Sequence, residues 1–425
     1  MRLRAAKTLS GSGGGRELEP APDAGLAGLA KVTFKQSAME IYLDYNAGAP
    51  LRPEAREALA EFLAAEEGNP ASVHRSGQRA RRALERARAQ VAALIDAAAR
   101  RLVFTSGGTE ANNLAIFGAV RTQNGRRKII SSLIEHSSIL GPLRALAQAG
   151  FLVRRLAPDD KGRISAEQVL AELDDNTALV TLGLANSETG AIQDLAPLAQ
   201  PVRQAGALLH IDAAQAAGRM GLSASRLNCD FMSLSGHKLG ALAGVGALYA
   251  RDERRVSPLM FGGPQERGVR PGTPNVLGAV SMGAAAETVS SRLSHEINLM
   301  SVLTERLRSR LCASIPGLAL NGPLFGRIPN TLNLTFPAAR GESLLIALDL
   351  EGVRVSMGSA CAAGAVEPSH VLMAMGRSES EARSSLRLSL GPQLALEEIE
   401  RAAVIFARVW QRVAEVEAAE GEARG

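Results

Sequence analysis

The chain has 425 residues, 46% of them hydrophobic and 21% charged, which is ordinary for a globular protein of two or three domains. The formal charge is +5, but six basic and three acidic residues within positions 1–38 supply +3 of it, which argues against a nucleic-acid-binding body. Three widely spaced cysteines without a CxxC pair argue against disulfides or structural zinc and favour a cytoplasmic location, and no apolar run approaches the roughly 20 residues of a membrane span.

Residues 1–38 are predicted to form a disordered N-terminal extension, because a Gly-Ser-Gly-Gly-Gly run at 11–15 has the composition of a linker. Met39 stands just before the first strand-like run, Ile41–Leu43, and is the expected natural start of the protein. A targeting peptide is the alternative interpretation of the extension.

Strand and helix patterns alternate from residue 51 onwards. Helical periodicity predicts helices over 53–66, 76–98 and 138–149. Short apolar runs predict strands at 101–104, 128–130, 151–153, 178–184, 207–211, 230–234 and 245–250. Strands that alternate with helices in this way predict an α/β fold with a mostly parallel central sheet.

After about residue 280 the pattern changes. A long helix at 284–314 is followed by isolated short strands, a helix near 342–350 and a terminal helix at 395–418. This mixture predicts a smaller α+β domain after a large domain that spans 51–290.

Polar residues stand at the carboxyl ends of several predicted strands, where open α/β sheets bind their ligands. The strand at 101–104 leads into a glycine turn and a helix, in which Gly108 would let the backbone approach a phosphate and Thr109 would add a hydroxyl donor. An ordinary helix N-cap explains these residues equally well.

Asp212 directly follows another apolar strand. A carboxylate there can keep a pyridinium nitrogen protonated and so make the ring an electron sink, and Gln215 is in reach of a ring hydroxyl. A helix N-cap is the alternative explanation of Asp212.

Lys238 is the candidate for a Schiff-base lysine. Only three lysines follow position 38; Lys128 precedes a strand, Lys161 lies in a polar turn, and Lys238 follows a buried strand. A Schiff-base lysine must be partly desolvated to be an amine near neutral pH, which favours Lys238. A surface lysine in a loop is the alternative.

Three further residues carry weaker signals. His136 follows a strand and can stack on an aromatic ring or carry a proton near pH 7, although a structural histidine fits as well. Cys361 stands in a run of small residues, which predicts a thiol on a flexible loop rather than a buried structural cysteine. Arg387 lies in a strand-like alternation and can bind a carboxylate bidentately, with a structural arginine as the strong alternative.

Taken together in their order along the chain, these motifs resemble those of the cysteine desulfurases of the NifS/IscS group, within the class V aminotransferase-like pyridoxal 5'-phosphate (PLP) enzymes. The resemblance extends from about Glu40 to about Arg408. The stretches that carry it are Tyr42–Asn46, Gly68–His74, Thr105–Asn113, Asn186–Gly190, the Asp212 and Lys238 motifs, Gln265–Gly268, Gly272–Thr273, Gly358–Cys361 and Glu367–His370.

The resemblance implies the fold-type-I architecture of PLP-dependent transferases, with the smaller domain built from both chain ends, 39–50 and 291–425. It also implies a homodimer with its active sites at the interface. Lys238 would hold PLP covalently, Asp212 would pair with the ring nitrogen and His136 would stack on the ring. The remaining implied contacts are Asn186 and Gln215 at the ring hydroxyl, Gly108, Thr109, Ser235 and His237 at the phosphate, Thr273 from the other subunit, and Asn46 and Arg387 at the substrate carboxylate.

The implied reaction converts L-cysteine to L-alanine and leaves the sulfur on Cys361 as a persulfide, while His136 manages the proton of the substrate thiol. Cys361 would then deliver the sulfur to an acceptor such as an iron–sulfur scaffold protein. This ties the chain to metal-binding partners, although no metal ligands are predicted in it. The alternatives are a selenocysteine lyase, a cysteine lyase or an aminotransferase of the same fold, and a non-catalytic scaffold that binds sulfur-transfer partners.

Overall fold

A computed structural model describes residues 40–65, 68–358 and 367–424 of the protein. The predicted N-terminal extension and Cys361 both lie outside these described residues. Among the helices of the described residues, none has the length and apolarity that crossing a bilayer requires.

The central sheet follows a short first strand, β1 (Ile41–Tyr42). Within the described residues its seven strands are β2 (Leu102–Thr105), β3 (Lys128–Ser132), β4 (Leu152–Leu156), β5 (Thr177–Gly183), β6 (Leu208–Asp212), β7 (Phe231–Ser235) and β8 (Gly246–Ala250). Their spatial order is β2-β8-β7-β6-β5-β3-β4. Neighbours from β7 to β4 are parallel, whereas β8 runs antiparallel to both β7 and β2. The predicted mostly parallel α/β sheet is therefore confirmed.

Apolar residues cover the sheet on both faces, because successive side chains of a strand point to opposite sides. In β2, Leu102 and Phe104 belong to the core on one face, and Val103 belongs to the core on the other. The near-continuous apolar runs of the sequence arise from this double burial.

The helices of the described residues are α1 (Pro53–Ala64), α2 (Arg75–Leu94), α3 (Gly108–Val120), α4 (Ser137–Gln148), α5 (Ala166–Ala171), α6 (Ala199–Gln204), α7 (Ala224–Leu227), α8 (Gly236–Leu239), α9 (Val276–Ser314), α10 (Gly341–Leu350), α11 (His370–Ala374), α12 (Glu379–Arg383) and α13 (Leu396–Arg424). The structure starts α9 eight residues before the predicted start, at an N-cap where Asn275 accepts from Gly278 N. Small residues in this first part weaken the helical pattern but permit close packing, since a Cβ at Gly283 would lie only 2.7 Å from Ala87 Cα of α2.

A second apolar core joins residues between positions 41 and 45 to residues from position 303 onwards. Four short strands contribute residues to this core or pack against it: β9 (Ala319–Asn321), β10 (Thr331–Thr335), β11 (Val353–Arg354) and β12 (Ser385–Ser389). β1 pairs in parallel with β11, and β10 pairs antiparallel with both β9 and β12. The domain boundaries at 50 and 290 stay a prediction, and α9 runs through the second of them.

A buried ion pair attaches the segment before α9 to the central sheet. Arg88 of α2 donates to both carboxylate oxygens of Glu266, at 2.6 and 2.7 Å, and these side chains are 4% and 3% exposed. Glu266 also accepts from Phe104 N of β2 at 2.9 Å. Arg88 contacts Glu85 as well, at 3.2 Å, but that side chain is 56% exposed.

We expect Glu266→Gln to lower the free energy of unfolding by about 3 kcal/mol, because it leaves the Arg88 charge buried without its counter-ion. Glu85→Gln removes a carboxylate from the same arginine at the surface and should cost less than about 1 kcal/mol. Urea unfolding of the two variants measures the difference. Equal losses in both would contradict a dominant buried pair.

Candidate active site

A cavity of about 390 Å³ opens at one edge of the central sheet. The strands β2, β3, β5, β6 and β7 all run in the same direction, so their carboxyl ends meet at this edge. Nine of the predicted site residues line the cavity: Gly108, Thr109, His136, Asn186, Asp212, Gln215, Ser235, His237 and Lys238.

The other predicted site residues lie elsewhere. Asn46 and Arg387 are buried beside the cavity and both donate to the carbonyl oxygen of Ser187, which lines it. Thr273 is exposed and is not part of the cavity wall. Cys361 is outside the described residues.

Lys238 lies on α8, directly after the buried strand β7. Its Nζ donates to the carbonyl oxygens of Asn46 and, at 2.8 Å, of Ala47. Burial, followed by the neighbouring cations Arg219 and Arg387, lowers the pKa of Lys238 to about 7. A lysine held in this way is substantially uncharged at neutral pH, which is what a Schiff-base lysine needs.

Asp212 ends β6 and is 9% exposed. Its Oδ1 accepts from Ala214 N at 2.9 Å, and its Oδ2 accepts from Asn112 Nδ2 of α3 at 2.8 Å. Two donors on opposite oxygens hold the carboxylate in one orientation towards the cavity that it lines.

The amino end of α3 lies close to the turn after β7. A Cβ at Gly108 would come within 3.2 Å of Ser235 Cβ, so glycine at this position allows the two segments to meet. Ser235 Oγ and His237 Nδ1 are 3.0 Å apart, and burial lowers the pKa of His237 to about 4. Free helix N–H groups, hydroxyls and a neutral histidine together suit an anion such as a phosphate.

His136 is the N-cap residue of α4. Its Nδ1 accepts from Ser138 N at 3.1 Å and lies 2.7 Å from Ser138 Oγ. Because a backbone N–H can only donate, Nδ1 is the acceptor and the neutral ring carries its proton on Nε2. Burial lowers the pKa of His136, so the neutral ring is the favoured form.

Asn46 and Arg387 are already engaged by the protein. Asn46 Nδ2 donates to Ser187 O and Thr331 Oγ1, and its Oδ1 accepts from Asn330. Arg387 pairs with Asp44 at 2.7 Å, while its buried Nε has no hydrogen-bond partner in the described part of the chain. Their predicted binding of a substrate carboxylate stays a prediction, with Asp44 as a competing carboxylate.

Sequence reasoning missed three residues of this region. Asn112 orients Asp212 and also donates to Ser138 Oγ at 2.8 Å, Glu135 lines the cavity, and Arg219 donates to Gln215. Asn112 lies in the helix after the glycine turn, and Glu135 precedes His136. A polar residue on the buried face of a helix, or beside a site residue, is the signal that identifies such positions.

These residues fit PLP. The cavity combines an uncharged lysine, an oriented buried carboxylate and an anion-binding helix end, and each matches one part of that cofactor: its aldehyde, its ring nitrogen and its phosphate. The fold and the site therefore define a PLP-dependent enzyme of fold type I.

Comparison with known proteins agrees with this class. The aminotransferase class-V family matches residues 41–402, and the chain belongs to this family. The cysteine desulfurase of Trichormus azollae is 39% identical over 373 residues, which are 88% of this chain and 93% of the relative. The cysteine desulfurase IscS of Anaeromyxobacter dehalogenans is 40% identical over 380 residues, covering 88% and 94%.

Solved structures confirm the fold-type-I architecture. A NifS-like protein superposes with a TM-score of 0.82 at 32% identity and covers 88% of this chain and 100% of its own. DndA from Streptomyces lividans superposes with a TM-score of 0.70 at 38% identity, covering 83% and 99%.

Glu135 provides a pH-dependent test of the cavity wall. Burial raises the pKa of Glu135 to about 8, and the Asp212 charge adds to the rise against hydrogen bonds from Ser132 and Gly183. The folded protein thus keeps this proton up to about pH 8, whereas an unfolded chain loses it near the ordinary value of 4.5. Binding of this proton therefore contributes to the free energy of unfolding. The contribution is fully present below pH 4.5 and is lost as pH rises through 8.

Glu135→Gln should therefore leave the stability of the apoprotein nearly unchanged at pH 5 and raise it by about 2 kcal/mol at pH 9, because the amide stays neutral, its oxygen can accept from Gly183 N and its NH₂ can donate to Ser132 Oγ. Urea unfolding at the two pH values measures this. Glu110→Gln is the contrasting variant. Burial acts to raise the pKa of Glu110, but its hydrogen bonds with Arg270 and Ser106 outweigh burial and lower the pKa. The fold therefore favours the charged carboxylate, and Glu110→Gln should lower the free energy of unfolding at pH 9. A change in the free energy of unfolding at pH 9 that has the same sign for both variants would contradict the raised pKa of Glu135.

Proposed function

We infer that this protein is a PLP-dependent cysteine desulfurase, which converts L-cysteine to L-alanine and passes the sulfur to an acceptor. The observation that carries the inference is the desolvated amine of Lys238 in a cavity that also holds the oriented carboxylate of Asp212. The class-V family and the relatives named cysteine desulfurase support the same activity.

PLP supplies an electron sink that stabilises negative charge at the substrate Cα when it is bound in this cavity. Lys238 would hold the cofactor and, being uncharged near neutral pH, would take up the Cα proton. Asp212 would pair with the ring nitrogen, held in place by Asn112. The helix end at Gly108 and Thr109, with Ser235 and His237, would hold the phosphate.

His136 and the second core would complete the substrate site. His136 would stack on the cofactor ring and present its Nε2 proton to a neighbouring group, because its Nδ1 is already accepting from Ser138. Asn186 and Gln215 would face the ring hydroxyl, since both line the cavity. Arg387, whose Nε is free among the described residues, would bind the substrate carboxylate beside Asn46.

Cys361 is the proposed sulfur acceptor within the chain. Its thiolate would form an S–S bond with the substrate sulfur, the carbon–sulfur bond would break with its electron pair left on carbon, and protonation of that carbon would complete alanine. An acceptor protein such as an iron–sulfur scaffold would then take the persulfide sulfur, and the relatives named IscS support that destination.

We expect purified protein with PLP, L-cysteine and a reductant to release equimolar alanine and sulfide, and Cys361→Ala to lose both products by at least tenfold while it keeps the visible PLP absorbance. Cys312→Ala is the matched control, because Cys312 is an exposed free cysteine and should retain full activity. Alanine and sulfide assays on the three proteins measure this.

Alanine release that survives in Cys361→Ala would remove the persulfide role from this cysteine. Bound PLP without alanine formation from cysteine would redirect the inference to a selenocysteine lyase or an aminotransferase of the same fold. Purified protein without visible PLP absorbance even after PLP addition would favour a non-catalytic scaffold.

We also propose a homodimer in which Thr273 of the partner subunit reaches the phosphate end of the cavity. Its support is the exposure of Thr273 together with that of Phe261, which is 87% exposed in the same segment. A cytoplasmic location is proposed from the cysteine usage of the sequence.

Thr273→Ala should weaken PLP binding about tenfold without changing the dimer, because it removes one hydroxyl donor from an anion site. Equilibrium dialysis measures the affinity, and sedimentation velocity measures the assembly. Ser257→Ala, in a loop outside the cavity wall, serves as the control. A monomer in sedimentation would contradict the proposal.

A further inference from the structure

Arg219 is a buried cation close to the cavity that the proposed function does not use. The residue is 5% exposed and follows β6 by seven positions. Its guanidinium donates to three neutral oxygens: Gln215 O at 3.1 Å, Gln215 Oε1 at 3.0 Å and Tyr45 O at 3.2 Å. No carboxylate among the described residues forms an ion pair with it, unlike the neighbouring Arg52, which binds both oxygens of Glu296 at 2.7 Å.

A buried charge without a counter-ion costs stability, so its presence calls for another explanation. The contact with Gln215 provides one. The amide of Gln215 is held at both ends, because its Oε1 accepts from Arg219 Nη1 and its Nε2 donates to Asn46 O at 3.0 Å. The opposite amide orientation would set its NH₂ group against the guanidinium, donor against donor.

We propose that Arg219 is a positioning residue of the PLP site, whose guanidinium orients the Gln215 carboxamide so that Gln215 offers the remaining Nε2 hydrogen to the cavity. A donor at this position suits the ring hydroxyl oxygen of PLP when that oxygen is negatively charged. This inference deepens the proposed function, because it concerns the same cavity and rests on PLP being its ligand.

Arg219 also acts on Lys238 through its charge. Both side chains line a small cavity of about 30 Å³, and their donor groups converge on the consecutive carbonyl oxygens of Tyr45, Asn46 and Ala47. After burial, Arg219 is the largest influence that lowers the pKa of Lys238. The other charged or titratable groups acting with Lys238 are Arg387, Asp44, Asp212, His136 and His237. Arg387 is ion-paired with Asp44, and Asp44 raises the pKa of Lys238 and so opposes the effect of Arg387.

Two variants separate the two effects. Arg219→Met removes both the donor and the charge while keeping a long side chain. Arg219→Lys keeps the charge but replaces the planar fork by a single ammonium group. Arg251→Met is the matched control, since Arg251, like Arg219, donates to neutral oxygen, here the carbonyl oxygen of Cys229, but lies past the far end of β8.

The first measurement is PLP affinity by equilibrium dialysis. Arg219→Met should bind PLP about tenfold more weakly, and Arg219→Lys should show a smaller loss. In a double-mutant cycle, Arg219→Met should add less to Gln215→Leu than it costs alone, because part of its effect on PLP affinity acts through that amide. Strictly additive losses in the cycle would overturn the positioning role.

The second measurement is amine labelling of the apoprotein as a function of pH, read peptide by peptide in mass spectrometry. The exposed Lys161 provides the internal reference. The labelling midpoint of Lys238 should move upwards in Arg219→Met and should stay low in Arg219→Lys and Arg251→Met. An unchanged midpoint and unchanged PLP affinity in Arg219→Met would overturn the proposal.

Both measurements are made without L-cysteine, so they stand or fall separately from the desulfurase activity. Circular dichroism shows which variants are folded. If Arg219→Met is unfolded, Arg219→Lys and the Gln215→Leu background carry the test. Wild-type PLP affinity in Arg219→Lys, or a loss in Arg219→Lys that is undiminished in the Gln215→Leu background, then counts against the role.

Discussion

The common direction of β2, β3, β5, β6 and β7 is the constraint on which the rest of this structure depends. Both faces of the sheet are covered by apolar cores, so a polar group inside a strand needs a partner there, as His210 has in Thr181 and Ser233, whereas polar groups at the strand ends can face a ligand. Parallel strands bring those ends to one edge, where helix N-termini also begin. One lysine, one carboxylate and a glycine turn that precedes both by more than a hundred residues therefore line a single cavity.

A second constraint comes from the segment Tyr45–Ala47, which leaves the second core and passes beside the cavity. Its carbonyl oxygens accept from Lys238, Gln215 and Arg219, so backbone oxygens supply most of the acceptors that hold these groups. Asn46 shows the consequence. Its side chain binds Ser187, Thr331 and Asn330, and its carbonyl contacts the lysine. The packing of the second core thereby contributes to the electrostatic environment of Lys238, which lies on α8 directly after a strand of the central sheet.

The sequence was sufficient to place a residue at the cavity where that residue follows a strand within a few positions. Asp212 and Lys238 are of this kind, since each stands beside the apolar strand that places it. Prediction failed for contacts between distant segments. Arg219 reaches Tyr45 across 174 positions, and Asn112 reaches Asp212 across 100. No local pattern distinguishes Arg219 from the other arginines, because its importance lies in burial without a counter-ion.

The sequence by itself determined the α/β class, the order of the strands along the chain and the identity of the residues that follow them, because hydrophobic periodicity and turn residues act over short distances. It also carried the motifs that identify the family. Only the tertiary structure decided the antiparallel direction of β8, the neutral Nε2–H form of His136 and the lowered pKa of Lys238. Each of these depends on the exclusion of solvent and on partners that folding brings together. A short segment of sequence determines neither its own burial nor its distant partners.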